Sequence, residues 1–202
     1  MSGHVDDELH PSTTEGYKVG EKKSVAEYAD LDKEDESLAR WKASLGIGAA
    51  AATGSIGEPG DTRTVVILEL ALIVEGRPDV VINLQEDGAL ARLQNTPFII
   101  KEGVSFRMRA KFRVQHEVIS GLRYLQLVKR KGITVDKAEE MMGSYGPNTH
   151  EKPFYEKLFA EEEAPSGLLS RGTYNALSRF MDDDKNEHLS FRWIFEIKKS
   201  WD

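Results

Sequence analysis

The run Asp182-Asp183-Asp184-Lys185-Asn186-Glu187 places oxygen donors at its first, third and fifth positions, as a calcium-binding loop does. Such a loop needs glycine at position six and glutamate at position twelve, where this chain has Glu187 and Trp193. The run therefore reads as an acidic hairpin turn or a docking site for arginine. His4, His10, His116, His150 and His188 show no paired ligand spacing, so solvated surface is the default for each. The chain has no G-x-S-x-G elbow, no Gly-Lys-Ser phosphate loop and no cysteine. Acyl transfer at serine, phosphate cradling and thiolate–zinc chemistry all lack their residues. Gly46-Ile47-Gly48-Ala49-Ala50-Ala51 matches G-x-G-x-x-A, but a dinucleotide site needs a strand before it and a helix after it. Here a helical pattern comes first and Gly/Ala-rich chain follows, as in a tether. The expectation is a binding protein with no catalytic residue, no metal and no cofactor.

Composition narrows the partner. A formal net charge of -7 argues against nucleic acid, which calls for a basic footprint, and suits a basic protein surface instead. The start, Met1 to Glu8, has neither a basic region nor an apolar run, so no signal peptide is expected. No segment offers the roughly 18 uncharged apolar residues of a membrane span, and stable membrane insertion is not expected. Lipidation motifs are missing too: residue 2 is Ser2, and no cysteine can form a CaaX box. The expected location is cytoplasmic.

Two kinds of sequence must position whatever binds. Up to about Lys23 the chain is acidic and poor in apolar groups, which predicts disorder. Ser24-Val25-Ala26-Glu27 has the spacing of a capping box. A second helix is expected from about Asp32, with Leu38, Trp41 and Leu45 on one face and Gly46 as its stop. Both helices are shorter than the roughly 12–15 residues that make an isolated helix even marginal. From about Thr64 the period becomes two. Strands are expected at Thr64–Glu75, Val80–Leu84, Pro97–Lys101, Val104–Val114, Gly121–Arg130, Ala138–Tyr145, Gly167–Phe180 and Leu189 to about Lys199.

The predicted class is all-β: an immunoglobulin-like β-sandwich preceded by a flexible N-terminal arm with short helices. The arm is placed at 1–60, with a helical hairpin at about 24–46, and the sandwich at 61–202. Phe191, Trp193, Phe195 and Ile197 share one face of the last strand. That stripe fits either an ordinary sandwich core or an interior splayed to admit an elongated apolar ligand.

Several runs carry a resemblance. They are Ser120-Gly121-Leu122-Arg123-Tyr124, Met142-Gly143-Ser144-Tyr145-Gly146-Pro147, Glu162-Glu163-Ala164-Pro165, Arg171-Gly172-Thr173-Tyr174 and Phe180-Met181-Asp182-Asp183-Asp184-Lys185. Together with Leu31-Asp32-Lys33-Glu34-Asp35-Glu36-Ser37-Leu38 in the arm, they resemble the Rho GDP-dissociation inhibitor family, in order from about Tyr17 to Trp201. The resemblance implies a non-enzymatic regulator that binds geranylgeranylated Rho-family small GTPases, GDP-bound by preference. It would block GDP release and extract the GTPase from membranes as a soluble one-to-one complex, being itself a monomer.

By the same resemblance the isoprenoid pocket involves Leu72, Phe98, Val118, Leu169, Ala176, Phe191, Trp193 and Phe195. Phe191 stands where the family often has Trp, and Ala176 where a larger aliphatic is common. Contacts to the GTPase switch regions come from Leu31, Asp35, Leu38, Asp183 and Asp184, and Glu162 and Glu163 meet the basic tail before the lipidated cysteine. Trp41 replaces a frequent Tyr, Pro97 stands where relatives carry a modifiable Ser, and Ser24 is a phosphorylation candidate. Residues Asn148–Tyr155 form a longer loop than usual. The alternative is a general solubilising carrier for prenylated or acylated proteins without control of nucleotide exchange. A third class, an immunoglobulin-like adhesion or carbohydrate module, is disfavoured by the missing cysteines and missing N-x-S/T sites.

Overall fold

The computed structural model describes residues 9–12, 23–31, 34–48, 56 and 60–201. Most of the stretch expected to be disordered, the Asp32 helix start and most of the Gly/Ala tether lie outside the described residues.

Among its described residues the arm carries the short helices α1 (Val25–Asp30) and α2 (Glu36–Ser44). The capping box forms as the spacing predicts: Glu27 N donates to Ser24 Oγ at 3.2 Å, and Ser24 N donates to Glu27 Oε2 at 2.8 Å. The second helix begins later than the apolar stripe indicated. Asp35 caps it, its Oδ1 accepting from Ser37 N at 2.8 Å and Leu38 N at 3.1 Å. Gly46, at φ 69°, ends it in the left-handed conformation that glycine adopts freely.

The sandwich contains nine strands: β1 (Val65–Ile73), β2 (Val80–Asn83), β3 (Phe98–Lys101), β4 (Ser105–Val114), β5 (Ile119–Arg130), β6 (Ile133–Tyr145), β7 (Tyr155–Glu163), β8 (Gly172–Met181) and β9 (Glu187–Lys198). One sheet runs β2-β1-β4-β7 and the other β3-β9-β8-β5-β6. Pairings are antiparallel except β3 with β9, where Phe98 lies opposite Phe195 and Lys101 opposite Lys198. The class is the predicted all-β sandwich with a helical N-terminal region.

Four details differ from the sequence reading. Strand β6 starts at Ile133, five residues before the expected Ala138. Strand β8 starts only at Gly172, because Ser170 N bonds Gly167 O at 3.0 Å and closes a turn there. Strand β7 and a third helix, α3 (Ala89–Asn95), were not expected. In β7 only Tyr155 and Phe159 are buried, and the charges of Glu156, Lys157 and Glu161–Glu163 hide the period of two.

Between the sheets the core is dense at one end. Phe112, Val114, Leu122 and Phe180 are fully buried there, with the Tyr124 and Phe180 rings 5.1 Å apart. The two lateral edges of the sandwich are unlike. Helix α3 crosses between β2 and β3, burying Ala89 and Leu93, and packs on β9. On the other side β6 and β7 face each other, and among the described residues no helix lies between them.

Candidate functional site: an apolar cavity and an opposite polar end

The core does not fill the sandwich. Towards the end marked by Lys101, Arg130, Glu163 and Lys198, the sheets enclose a cavity of about 570 Å³, within the range of small-molecule sites. Its walls follow from strand alternation. Leu70 and Leu72 point in from β1, Phe106 and Met108 from β4, and Phe191, Trp193 and Phe195 from β9. Leu93 of α3 and Phe98 of β3 close the back.

A polar network buried beneath the floor fixes the largest wall residue. Trp193 Nε1 donates to Ser178 Oγ at 2.9 Å, Ser178 Oγ lies 2.7 Å from Tyr124 Oη, and Tyr124 Oη donates to Gln126 Oε1 at 2.7 Å. Burial pushes the Tyr124 phenol far above its ordinary value, so it stays a neutral donor. Phe98 meets the indole edge-on at 6.0 Å, and Phe195 leans on it at 5.3 Å. The indole thus has one orientation, set from below and from both sides.

The rim lies at the uncovered edge, where Val135 and Asp136 of β6 face Glu162 and Glu163 of β7. Partial burial raises the Glu162 carboxyl above the usual glutamate range, and the charges of Asp136 and Glu140 raise it further. Carboxylates gathered at an opening attract a cation. Arg130, which also lines the cavity, ties the end of β5 to the β7–β8 connection: its Nη1 bonds Leu169 O, and its Nη2 donates to Arg171 O at 2.5 Å.

Of the eight pocket residues drawn from the resemblance, Leu72, Phe98, Phe191, Trp193 and Phe195 line this cavity. The other three stand elsewhere. Val118 precedes β5 at the far end of the sandwich, and Leu169, 88% exposed, turns outward in the β7–β8 connection. Ala176 is buried but does not line the cavity; it packs with Val128, Tyr174 and Ile197, and Trp193 and Phe195 lie against that cluster. Glu162 and Glu163 sit on the rim. Asp136, Gln126 and Leu93 also line the cavity without having been anticipated. Gln126, a lone polar residue in Leu125-Gln126-Leu127-Val128, was a visible signal.

The opposite end is built from hydrogen bonds. Asp182 is buried, its oxygens accepting from Asn186 N at 2.9 Å and Asn186 Nδ2 at 3.0 Å, with His188 Nε2 2.9 Å away. Burial works against ionisation, yet the His188 and Asn186 bonds hold the carboxyl below the usual aspartate range. The candidate calcium run is thus an acidic β8–β9 turn, and Asp183 pairs with Arg123 of β5. Gly121 makes that pair possible: it sits at φ 61°, and a Cβ there would collide with the Asp183 carboxylate.

The arm is anchored at this same end. Ile47 is fully buried, and Leu45 O packs so closely on Gly146 that a side chain there would strike it. Buried Asn148 ties the long loop in place. Its Oδ1 accepts from Val114 N at 2.8 Å, its Nδ2 donates to Lys152 O at 2.7 Å, and its carbonyl accepts from Ile56 N at 2.9 Å. Lys42 Nζ of α2 bonds Leu31 O at the end of α1 and joins the helices. Neither helix buries a residue, and Leu38 and Trp41 are 37% and 46% exposed. The structure gathers Asp183 and Asp184 at the arm's anchoring end, while Leu31, Asp35 and Leu38 lie on the hairpin.

No helix among the described residues is long and apolar enough to cross a membrane. The family model described as RHO protein GDP dissociation inhibitor matches residues 3–200. The chain is 51% identical over 184 residues to the Rho GDP-dissociation inhibitor of Schizosaccharomyces pombe, covering 91% of this chain and 86% of the relative. It is 47% identical over 184 residues to that of Saccharomyces cerevisiae, covering 91% and 90%. With Rho GDP-dissociation inhibitor 1 of Homo sapiens it shares 42% over 185 residues, covering 92% and 86%. The chain belongs to the Rho GDP-dissociation inhibitor family.

Proposed function

We propose that this chain is a non-enzymatic, cytoplasmic regulator that binds geranylgeranylated Rho-family GTPases, GDP-bound by preference, and holds each as a soluble one-to-one complex. The isoprenoid enters the cavity between β6 and β7, and the basic tail before it meets Glu162, Glu163 and Asp136. The helical hairpin, with Leu31, Asp35 and Leu38, covers the switch regions, and Asp183 and Asp184 contact the GTPase from the sandwich. GDP release is then blocked. The division into an arm at 1–60 and a lipid-binding sandwich at 61–202 follows from this reading.

One observation carries it: a preformed apolar cavity with an acidic rim belongs to the same chain as a helical pair that leaves Leu38 and Trp41 uncovered. Burial of lipid is worth about 0.8 kcal/mol per CH₂, so roughly twenty carbons gain on the order of 15 kcal/mol over water. A bilayer offers nearly the same gain. The surplus that removes a GTPase from a membrane must come from protein contacts, and one chain carrying both sets raises their effective concentration.

The deciding experiment pairs extraction from vesicles with GDP release, using prenylated and unprenylated GTPase side by side. Extraction together with slowed release is expected for the prenylated form. Extraction with release unchanged would favour the general carrier, a reading that the cavity alone also supports.

A further inference from the structure

The outer surface of the five-stranded sheet carries an intramolecular docking site. Along β5, Tyr124, Gln126 and Val128 point into the sandwich, so Arg123, Leu125 and Leu127 point out. Outward positions of a sheet normally meet water, yet Leu125 and Leu127 are 1% and 2% exposed. With Leu177 and Met181 of β8 they form an apolar patch, and Leu9 sits on it fully buried.

The backbone around Leu9 is gripped by charged side chains. Arg179 Nη1 donates to Leu9 O at 3.1 Å, and Arg123 Nη1 donates to Ser12 O at 3.1 Å. Ser12 N donates to Glu139 Oε2 of β6 at 2.9 Å. One leucine thus anchors the segment and three hydrogen bonds orient it, in a stretch whose composition predicted disorder.

Arg123 links this contact to the other end of its own guanidinium. While Nη1 holds Ser12 O and Glu139, Nη2 holds Asp183. The Arg123 and Asp183 side chains are only 11% and 13% exposed, and a covered ion pair is harder to open than a wet one. A partner that takes the Asp183 carboxylate must first draw it from Arg123.

We infer that residues Leu9–Ser12 are a reversible latch on the outer face of β5, β6 and β8, and that latch and partner oppose each other through Arg123 and Asp183. The gain from one buried leucine and three hydrogen bonds nearly cancels the entropy of ordering four residues, which makes the contact releasable. By reciprocity, whatever weakens the latch strengthens a partner that uses Asp183, and such a partner loosens the latch. The docking stands by itself. The opposition rests on the proposed reading of Asp183 as a GTPase contact.

The test has two arms, both on the full chain. In the first, backbone NMR compares the free protein with Leu9→Ser. The amides of Leu9 and Ser12 should be dispersed and as rigid as β5, and should collapse to random-coil positions in the variant. Random-coil amides in the unmutated chain would overturn the latch. In the second, affinity for GDP-loaded, geranylgeranylated GTPase should rise about fivefold in Leu9→Ser, and the gain should vanish in an Asp183→Asn background. Unchanged or weaker binding with a docked segment would overturn the opposition alone. Failure of the GTPase to bind either form would overturn the functional reading and leave the first arm intact.

Discussion

The cavity and the helical hairpin solve opposite problems. The cavity is finished before any ligand arrives. Its walls belong to strands held by long ladders, and its largest residue, Trp193, is fixed by Ser178 below and by Phe98 and Phe195 beside it. The hairpin is finished only locally. Capping by Ser24 and Asp35 and the Lys42–Leu31 bond define it, yet it buries no residue of its own helices. Rigid apolar space suits a ligand without directional groups, since shape alone must select it. An uncovered helical pair suits a protein surface, whose contacts supply the burial the helices lack. The free energy of the first site is committed at folding, and that of the second is held back for association.

The sharpest way to break this contrast is to attack each region by truncation. Trp193→Ala should lower stability by about 3–5 kcal/mol and abolish isoprenoid uptake, read by thermal melting and by titration with a fluorescent isoprenoid. Leu38→Ser with Trp41→Ser should stay within about 0.5 kcal/mol of the parent and leave uptake intact while removing inhibition of GDP release. Loss of uptake in that double variant would show that the regions are not independent.

A smaller effect is expected at the polar end. Gly121→Ala forces a side chain into a left-handed conformation and displaces the Asp183 carboxylate. The cost should be about 1–3 kcal/mol, with isoprenoid affinity unchanged. Weaker lipid binding in this variant would mean that the two ends communicate through β5.

Asp35 sharpens the comparison within the hairpin. Asp35→Ala removes a helix cap worth about 1 kcal/mol, whereas Asp35→Asn keeps the cap and removes only the charge. Both should weaken inhibition of GDP release, alanine more than asparagine. Helical amide shifts should change only in the alanine variant. If asparagine behaves as the parent does, Asp35 acts through helix capping rather than as a charge.

The mildest effect is protonic. The raised Glu162 carboxyl is partly protonated just above the usual glutamate range, and a docked cationic tail favours its ionised form. Binding of a lysine-rich peptide should therefore release protons in that window and tighten as pH rises, levelling off once Glu162 is ionised in the free protein. Calorimetry in buffers of different ionisation enthalpy measures this directly. Proton uptake would refute the assignment of the rim.

What the sequence revealed follows from how each part is encoded. The period of two in Val104–Val114 sets Phe106, Met108, Ala110, Phe112 and Val114 against Arg107, Arg109, Lys111 and Arg113, and the apolar set is the inward face of β4, with Phe106 and Met108 in the cavity wall. The Ser24 capping box and the Gly46 stop are local signals, and both formed. Strand β7 escaped because its inward residues are few among charges. Helix α3 escaped because Gly88 offers no side-chain cap. The rim was half legible: Glu162 and Glu163 came from resemblance, but Asp136 joins them only through the facing of β6 and β7, and periodicity does not encode which edges meet. The docking of Leu9 was least legible of all. One leucine in a polar stretch gains its meaning from a patch more than a hundred residues away.

Asn148 fixes where the arm departs, and it does so at the end of the sandwich farthest from the opening between β6 and β7. The strands between those ends are 10 to 12 residues long in β4, β5, β8 and β9, so the separation is roughly 35 Å. A protein held by its globular body at one end and by a terminal alkyl group at the other must own a tether about ten residues long when extended. On the proposed reading the sandwich is thus a ruler as well as a container, and it should turn away cargo whose tail is too short to reach.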